Sequence, residues 1–399
     1  MGILKIIFSL LILSFPIAEI GRFQLSNGVA FSVNDVFLIF LVIAWIGYHL
    51  LNRKKVNKNV LTNPIFIFIS IALISLIVNI PHLSFVNFLI SFSYLLRWVL
   101  YASLFFIVKD FDDKFKSRIP YLMLFSGIIV VIAGYTQYFL YPNLRNLFYL
   151  GWDEHLYRMF SSFLDPNFAG GFFVLFFIFI LGLNYQNLKN NLISKSVVLG
   201  VLSLFVLFAV YLTYSRSAFV MLAISLSVFL FLIKKWKLIA FALIGLLLIV
   251  FIIPKSFQTE GTNLLRTFSS EQRIESSQVA LKIFQSSPLF GVGFNSYRYA
   301  QNKIGLNNQI WQTTHSGAGT DNSFLFVLAT TGIIGLVSYL YLISRIASFA
   351  KDNLKNNVFS LILLSSLAGL IFNSFFINSL FYVFILEWIW IEVSLIENK

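Results

Sequence analysis

Arg216, in a Thr-Tyr-Ser-Arg segment at 213–216, is the first residue whose type and position indicate chemistry. It stands where one apolar stretch ends and the next begins, so that it lies at the start of a helix. A guanidinium beside the free N–H groups of a helix N-terminus can hold a phosphate through charge-assisted hydrogen bonds. The alternative is an arginine whose side chain reaches lipid headgroups. We favour the phosphate site, because polar groups at such positions are often functional.

A second candidate group lies where another apolar stretch begins. Asp321 and Asn322 can cap this helix, and they also place a carboxylate and an amide at its end. His315 lies six residues earlier on a loop that contains glycine, although a loop histidine is usually only solvated. A carboxylate or an imidazole in this place can act as the general base for a hydroxyl group.

Two further sites allow both a structural and a functional interpretation. Asp165 can cap a helix, and Pro166 suits its first position. Asn167 and two glycines follow, and the glycines allow close helix packing, so a structural role explains this stretch. Arg97 lies in the middle of an apolar stretch, where a charge costs at least about 2.5–3.5 kcal/mol. It is expected to find a partner inside the protein, either Glu387 in another apolar stretch or a lipid phosphate.

The sequence indicates neither a metal site nor a nucleotide-binding loop. The histidines lie in unrelated segments, and the chain has no cysteine. The Gly-Val-Gly segment at 291–293 lacks the third glycine and the preceding strand of a dinucleotide-binding loop, and a tight turn explains it. We therefore predict no metal and no other cofactor, so that arginines have to neutralise a phosphate leaving group.

The composition predicts that these residues belong to a membrane protein. Of the 399 residues, 58% are hydrophobic and 11% are charged, and the mean hydropathy is +0.85. A soluble domain has about 25% charged residues, which excludes a soluble globular protein, a disordered chain and a nucleic-acid reader. The long apolar blocks do not alternate as the strands of a membrane barrel do. An all-α, polytopic bundle of membrane helices remains.

About twelve apolar stretches are long enough to span a membrane. Sixteen lysines and arginines lie on alternate loops, whereas the opposite short loops hold only Arg22, Arg145, Arg158 and Arg216. The positive-inside rule then places both termini in the cytoplasm and the candidate residues on the outer face. We take the first stretch as a retained span rather than a signal peptide. The stretches lie near 3–20, 34–51, 64–80, 86–108, 120–141, 167–184, 194–213, 216–233, 237–253, 321–344, 357–373 and 376–396.

The chain is predicted to form one membrane domain, 1–399, with a single large outer loop. Residues 254–320 separate the ninth and tenth stretches, and long loops of this kind are usually functional. Within the loop, residues 271–286 predict an amphipathic helix that Pro288 stops. Such a helix is expected to lie on the outer membrane surface or to cap the bundle. Its predicted apolar positions are Ile274, Val279, Leu281, Ile283 and Phe284.

Taken in order, four motifs resemble those of the O-antigen ligase/polymerase superfamily of bacterial envelope enzymes. They are Asp-Pro-Asn at 165–167, Thr-Tyr-Ser-Arg at 213–216, Pro-Leu-Phe-Gly-Val-Gly at 288–293, and Asn322 followed after nine residues by Gly-Ile-Ile-Gly at 332–335. The resemblance extends over most of the chain. It implies twelve spans with a large outer loop between the ninth and the tenth, a fold similar to the C-type glycosyltransferases, and a ligase-like core at 167–344.

One position departs from the ligase pattern. Asp321 stands where the ligases have the histidine that is proposed to activate the acceptor hydroxyl. The Asp-Asn form is similar to that of polymerase members, which act in the synthesis of O-antigen, capsule and exopolysaccharide. The resemblance therefore favours a polymerase, with a ligase as the alternative.

The resemblance also implies a mechanism without a metal, at the outer face of the bacterial cytoplasmic membrane. The donor is a glycan on undecaprenyl diphosphate, and the acceptor is a second lipid-linked glycan or, for a ligase, lipid A-core or a protein. Arg216 and Arg273 would stabilise the diphosphate, and Asp321 or His315 would deprotonate the acceptor hydroxyl, with inversion of the anomeric centre. Membrane lipids are further implied partners. The sequence leaves open whether a protein that regulates chain length is another. The implied substrate-binding residues are Asn322, Arg97, Asn167, Arg266 and Arg298.

Two other functional classes are still compatible with the sequence. A transporter or flippase predicts polar residues at the membrane midplane and two similar halves, whereas only Arg97 and Glu387 fit and no repeat is found. A non-catalytic scaffold predicts that Arg216, Arg273 and Asp321 can be replaced without loss of a glycan product.

Overall fold

The structure, a computed structural model, is a bundle of α-helices and describes residues 1–26, 29–55, 58–150, 152–252, 259–264, 268–305 and 318–396. The predicted all-α class is confirmed. A short antiparallel hairpin of β1 (Phe23–Ser26) and β2 (Val29–Phe31), which the sequence did not predict, lies between the first two helices. The helices are α1 (Gly2–Ser14), α2 (Val33–Leu51), α3 (Thr62–Val78), α4 (Phe85–Lys109), α5 (Asp113–Lys116), α6 (Ile119–Leu140), α7 (Pro166–Lys189), α8 (Ile193–Leu212), α9 (Arg216–Leu232), α10 (Trp236–Ile252), α11 (Phe268–Ser286), α12 (Tyr297–Lys303), α13 (Ser323–Asp352), α14 (Val358–Asn373) and α15 (Val383–Ser394).

The described residues contain seven candidate membrane spans, which include α1, α2, α4, α6, α7, α8 and α13. Four shorter apolar helices, in α3, α9, α10 and α14, have 10–17 residues. Each of the twelve predicted stretches contains a helix, the last being α15. This arrangement fits a multi-pass membrane protein, and the count of twelve spans stays a prediction.

The central helix of the bundle is α7, which is buried from Ala169 to Ile180. It packs against α8, α9 and α14. Phe172, Phe176 and Phe179 approach the ring of Trp388 edge to face, with centroid distances of 5.1, 6.0 and 5.4 Å. Aromatic pairs of this geometry add about 0.5–1.5 kcal/mol beyond the burial of their area. These contacts therefore bind α15 to the central helix.

Gly170 lets α7 approach α9 closely, as its sequence predicts. A Cβ atom on Gly170 would lie 2.7 Å from Cβ of Ala218, closer than side-chain carbons ever come. Because the contact lies near the first turn of both helices, it brings their starts together. Ser215 Oγ donates a hydrogen bond of 3.0 Å to Asn167 Oδ1 across this contact.

The two glycine motifs of the C-terminal half bind each other through their backbones. α13 is broken at Gly332, whose φ of 69° and ψ of −171° are non-helical, and the turn predicted at 291–293 lies beside this break. An apolar environment requires a partner for each backbone N–H and C=O group that a broken helix releases. The 288–293 segment supplies those partners, with bonds from Val292 N to Ala329 O (3.1 Å), Gly293 N to Thr330 O (2.9 Å), Ile333 N to Pro288 O (2.9 Å) and Ile334 N to Leu289 O (3.4 Å).

We expect Gly332→Ala to destabilise the protein strongly. The backbone angles of Gly332 fall in a region that only glycine adopts readily, and a Cβ atom there would lie 2.2 Å from the carbonyl oxygen of Leu289. Strain of this kind costs about 1–3 kcal/mol before the clash is counted. Thermal unfolding of the detergent-purified protein measures the loss. Gly47→Ala, with nothing within 4 Å of its Cβ, is the matched control. Equal melting temperatures for the two variants would contradict the backbone contact.

The long helix of the polar loop, α11, begins three residues before its predicted start and ends at Ser286 as predicted. It packs against α13, with Ala280 and Ile283 buried among side chains of α12 and α13. Of the five predicted apolar positions, Ile283 is buried and Val279 packs beside it, whereas Ile274 and Leu281 are 58% and 43% exposed.

Candidate functional site

The starts of α7, α9 and α13 form the centre of the candidate site. Asp165 Oδ1 caps α7 by accepting two first-turn N–H bonds of 2.6 and 3.2 Å. Ser215 caps α9, and Asn322 Oδ1 caps α13 with bonds of 2.9 and 3.0 Å. The capping predicted for these three residues is confirmed. Asp321, also predicted as a cap, instead lies just before the cap, and Asn322 takes that role.

Arg158 ties the starts of α7 and α9 together. Its side chain is buried, and its Nε donates a bond of 2.9 Å to the carbonyl of Thr213. Its Nη2 lies 3.3 Å from Asn167 Oδ1 and 3.5 Å from the carbonyl of Tyr214. The rigid guanidinium fork suits such a three-way contact. The sequence analysis missed this role and counted Arg158 only among the charges of the outer loops.

Arg216 and Arg273 lie close enough to interact electrostatically, from α9 and α11 respectively. Arg216 is half-buried, and its Nη2 donates a bond of 3.1 Å to Ser270 Oγ at the start of α11. Burial lowers the pKa of Arg273, and the like charge of Arg216 lowers it further. Two cations held near each other repel, and an anion between them removes the repulsion.

Asp321 shares this site with the two arginines. Desolvation by the surrounding protein raises the pKa of Asp321, and Arg273 opposes that rise. The carboxylates of Asp165 and Asp153 raise the pKa of Asp321 further. A carboxylate with a raised pKa is a stronger base. The structure thus brings together three of the predicted catalytic residues, together with Asp165, which the sequence predicted only as a cap.

The backbone around the site is strained at non-glycine residues. Each left-handed residue of this kind costs on the order of 1–3 kcal/mol, and such residues cluster at functional sites. The loop before α7 also brings His155 Nε2 to 3.9 Å from Asp165 Oδ2. The residues with positive φ here are His155 (49°), Tyr157 (54°), Ser161 (51°), Leu164 (57°) and Tyr214 (48°).

Arg97 is paired with Asp35 rather than with Glu387. Arg97 Nε donates a bond of 2.8 Å to Asp35 Oδ1. Glu387 instead accepts a bond of 2.9 Å from Asn34 Nδ2. The pair of Arg97 and Glu387 suggested by the sequence is therefore wrong. The nearer carboxylate is in the first turn of α2, which the sequence analysis treated only as the edge of an apolar stretch.

The remaining predicted residues do not extend this group. Burial lowers the pKa of Arg298, whose electrostatic neighbours are Tyr94, Tyr299 and Arg22. Arg266 and His315 lie outside the described residues. Within the ranges that the structure describes, no three His, Asp or Glu side chains are grouped so that they could hold a metal ion.

One protein family matches the segments that carry most of this site. The O-antigen ligase family model matches residues 201–340. The match confirms the resemblance to the O-antigen ligase/polymerase superfamily and covers about a third of the chain. A search of the curated proteins finds no match to the chain.

The matched segment contains Arg216, Arg273 and Asp321, whereas Asp165 and Asn167 precede it. Together with the apolar helices, it indicates a membrane enzyme of the ligase or polymerase type. The family implies, in general terms, a lipid-linked glycan and an acceptor as substrates.

Proposed function

We propose that this protein is a membrane glycosyltransferase that polymerises glycan repeat units carried on undecaprenyl diphosphate. The proposal rests on one observation, which is that three residues from separate segments lie close together. They are Arg216 at the start of α9, Arg273 on α11 and Asp321 just before α13. The two cations suit the stabilisation of a diphosphate leaving group, and the carboxylate suits the removal of a proton from a hydroxyl group.

The arginines bind the diphosphate in this mechanism. The bond between the anomeric carbon and the diphosphate oxygen breaks, and negative charge grows on the leaving oxygen. Arg216 and Arg273 stabilise that charge through charge-assisted hydrogen bonds. Their mutual repulsion in the free protein makes the anion-bound state more favourable by comparison.

Asp321 is the proposed base. It takes the proton of the acceptor hydroxyl while the hydroxyl oxygen forms its bond to the anomeric carbon. One direct displacement of this kind inverts the anomeric centre. The raised pKa of Asp321 strengthens it as a base, while Arg273 opposes that rise. Asn322 orients the acceptor, and no metal is required.

Asp321 also favours polymerase over ligase, because the ligases carry a histidine at the matching position. The family description itself favours the alternative, a ligase that transfers the glycan to lipid A-core or to a protein. In both cases we place the site on the outer face of the bacterial cytoplasmic membrane and both termini inside, since sixteen basic residues lie on the opposite loops.

The purified protein in nanodiscs, supplied with a lipid-linked repeat unit and nothing else, is expected to form a ladder of lengthening lipid-linked chains. The ladder is resolved on a gel, and Arg216→Ala provides the inactive control. Product that forms only after lipid A-core is added would identify a ligase. No product in either reaction, from protein that is folded and binds the donor, would contradict the proposed transfer.

A further inference from the structure

A cavity of about 560 Å³ lies at the end of the bundle opposite the candidate site, where α6, α8 and α14 begin and α7 ends. Its size falls within the range of about 300–1,000 Å³ that is typical of small-ligand sites. At a rise of about 1.5 Å per residue, Gln186 in its wall lies about 30 Å along α7 from Asp165. The hydrocarbon core of a bilayer is about 30 Å thick, so the cavity and the candidate site lie at opposite membrane boundaries.

The wall of this cavity changes from polar to apolar over one helical turn. On α8, Lys195 lies in the first turn and Leu199 in the second. On α7, Asn187 lies near the end of the helix and Leu183 lies one turn before it. In both helices the polar side chain is at the membrane boundary, and the apolar one is closer to the middle of the bundle. A ligand with a polar head and an apolar chain matches this order.

The apolar part of the cavity is open on the side that faces the membrane. Val198 on α8 and Tyr121 on α6 both line the cavity, and they are 66% and 69% exposed. Because α8 is one of the candidate membrane spans, its exposed apolar residues contact lipid chains. Tyrosines are enriched at the level of the lipid headgroups. An acyl chain can therefore enter the cavity from the surrounding lipid.

The segments around the polar end of the cavity carry a net positive charge. The connections at 112–118, 187–195 and 351–357 contain seven basic and three acidic residues. One of the acidic residues, Asp113, already lies 3.7 Å from a basic one, Lys116. The excess of basic residues attracts an anion, and basic pockets between membrane helices bind the headgroups of anionic lipids.

Two donors in the wall are available to such a headgroup. The Lys195 ammonium and the Gln186 amide are exposed, and neither has a hydrogen-bond or ion-pair partner in the part of the chain that the structure describes. An ammonium group offers three N–H donors, and a side-chain amide offers two. The oxygens of a phosphodiester accept these bonds, and the bond from the ammonium is charge-assisted. A lipid without net charge would leave the positive charge of the connections uncompensated.

We infer that this cavity binds the headgroup and the first part of one acyl chain of an anionic glycerophospholipid. The bound lipid contacts α6, α7, α8 and α14 together, at the end of the bundle that the proposed orientation places in the cytoplasmic leaflet. Lipid binding here is independent of glycan transfer, because the cavity lies about 30 Å along α7 from the candidate site. A soluble nucleotide or an acidic peptide would leave the apolar part of the wall unused.

The test compares two lipids that differ in net charge. Binding to the full-length protein in detergent is measured by native mass spectrometry, with dioleoyl phosphatidylglycerol as the anionic probe and dioleoyl phosphatidylcholine as the zwitterionic one. Phosphatidylglycerol is expected to bind more tightly. Lys195→Gln is expected to weaken its binding by about 5-fold, the value of one basic residue at a lipid surface. Lys195→Arg retains the charge and should bind it like the wild type, and phosphatidylcholine should bind equally to all three proteins.

Lys237→Gln is the matched control. Lys237 is exposed in the first turn of α10, at the same end of the bundle, but it does not line the cavity. This variant should bind phosphatidylglycerol like the wild type. Equal effects of Lys195→Gln and Lys237→Gln would assign the attraction to general surface charge rather than to the cavity. Equal binding of the two lipids would show that the cavity does not select an anion, and displacement of phosphatidylglycerol by glycerol phosphate at a similar concentration would show that the acyl chain takes no part. Each of these results overturns the phospholipid site.

Discussion

Arg216→Ala is expected to reduce the rate of glycan transfer by about 10²–10³-fold, the usual loss when one preorganised group that stabilises developing charge is removed. Arg216 is half-buried and held by Ser270, so that its guanidinium is already placed before the substrate arrives. A lysine at this position retains the charge but loses the planar fork. Arg216→Lys should therefore recover only part of the rate. The measurement is initial transfer rate with the lipid-linked repeat unit.

Arg118→Ala is the matched control for this prediction. Arg118 is exposed, and it lies at the start of α6, on a loop rich in basic residues that is predicted to face the cytoplasm. Its removal takes away the same charge without touching the site. A rate for Arg216→Ala equal to that of Arg118→Ala would remove Arg216 from the mechanism.

Asp321→Asn is expected to lower the transfer rate by about 10²–10⁴-fold, the range that general base catalysis contributes. The amide has nearly the same shape as the carboxylate but cannot accept the proton. Asp321 does not cap α13, and Asn322 does, so the substitution should leave the helix start intact. Donor binding should stay close to that of the wild type. A rate loss matched by an equal loss of donor binding would assign Asp321 to binding rather than to proton transfer.

The pH dependence of the rate gives this assignment an independent test. A base must be deprotonated, so the rate should rise with pH through the pKa of Asp321. Desolvation raises that pKa, Arg273 lowers it and Asp165 raises it. Arg273→Gln should therefore move the acid limb of the rate profile to higher pH, whatever it does to the maximal rate. Asp165→Asn should move the acid limb to lower pH, because asparagine keeps the helix cap and removes the charge.

These two shifts have opposite signs, which a general loss of structure would not produce. An acid limb that stays in place in both variants would mean that another group supplies the base. His315 is the sequence-predicted alternative, and His315→Ala would then be the variant to compare.

The helical character and most helix limits of this protein follow from its sequence. Apolar blocks of about twenty residues leave few alternatives to membrane helices. Asp165, Ser215 and Asn322 mark helix starts through local hydrogen bonds, which depend on a few neighbouring residues only. The order of the motifs likewise indicated the resemblance to the O-antigen ligase/polymerase superfamily, because it is a property of the chain rather than of its packing.

Which charges meet was decided by the tertiary structure. Arg97 was predicted to pair with Glu387, but the packing of α2 against α4 gives it Asp35. Arg158 carries no sequence signal that separates a buried clamp from a surface charge, since its partners are backbone carbonyls and an amide on distant segments.

The sequence by itself thus determined the helices and most of their starts, because hydropathy and capping act within a few turns of one segment. Only the tertiary structure decided that Arg216, Arg273, Asp321 and Asp165 share one site, since four separate segments supply them. It also decided that the backbone of Pro288–Gly293 pairs with α13 at Gly332. The N–H and C=O groups released where α13 is broken bind a segment that is distant in sequence, and no local pattern identifies that segment.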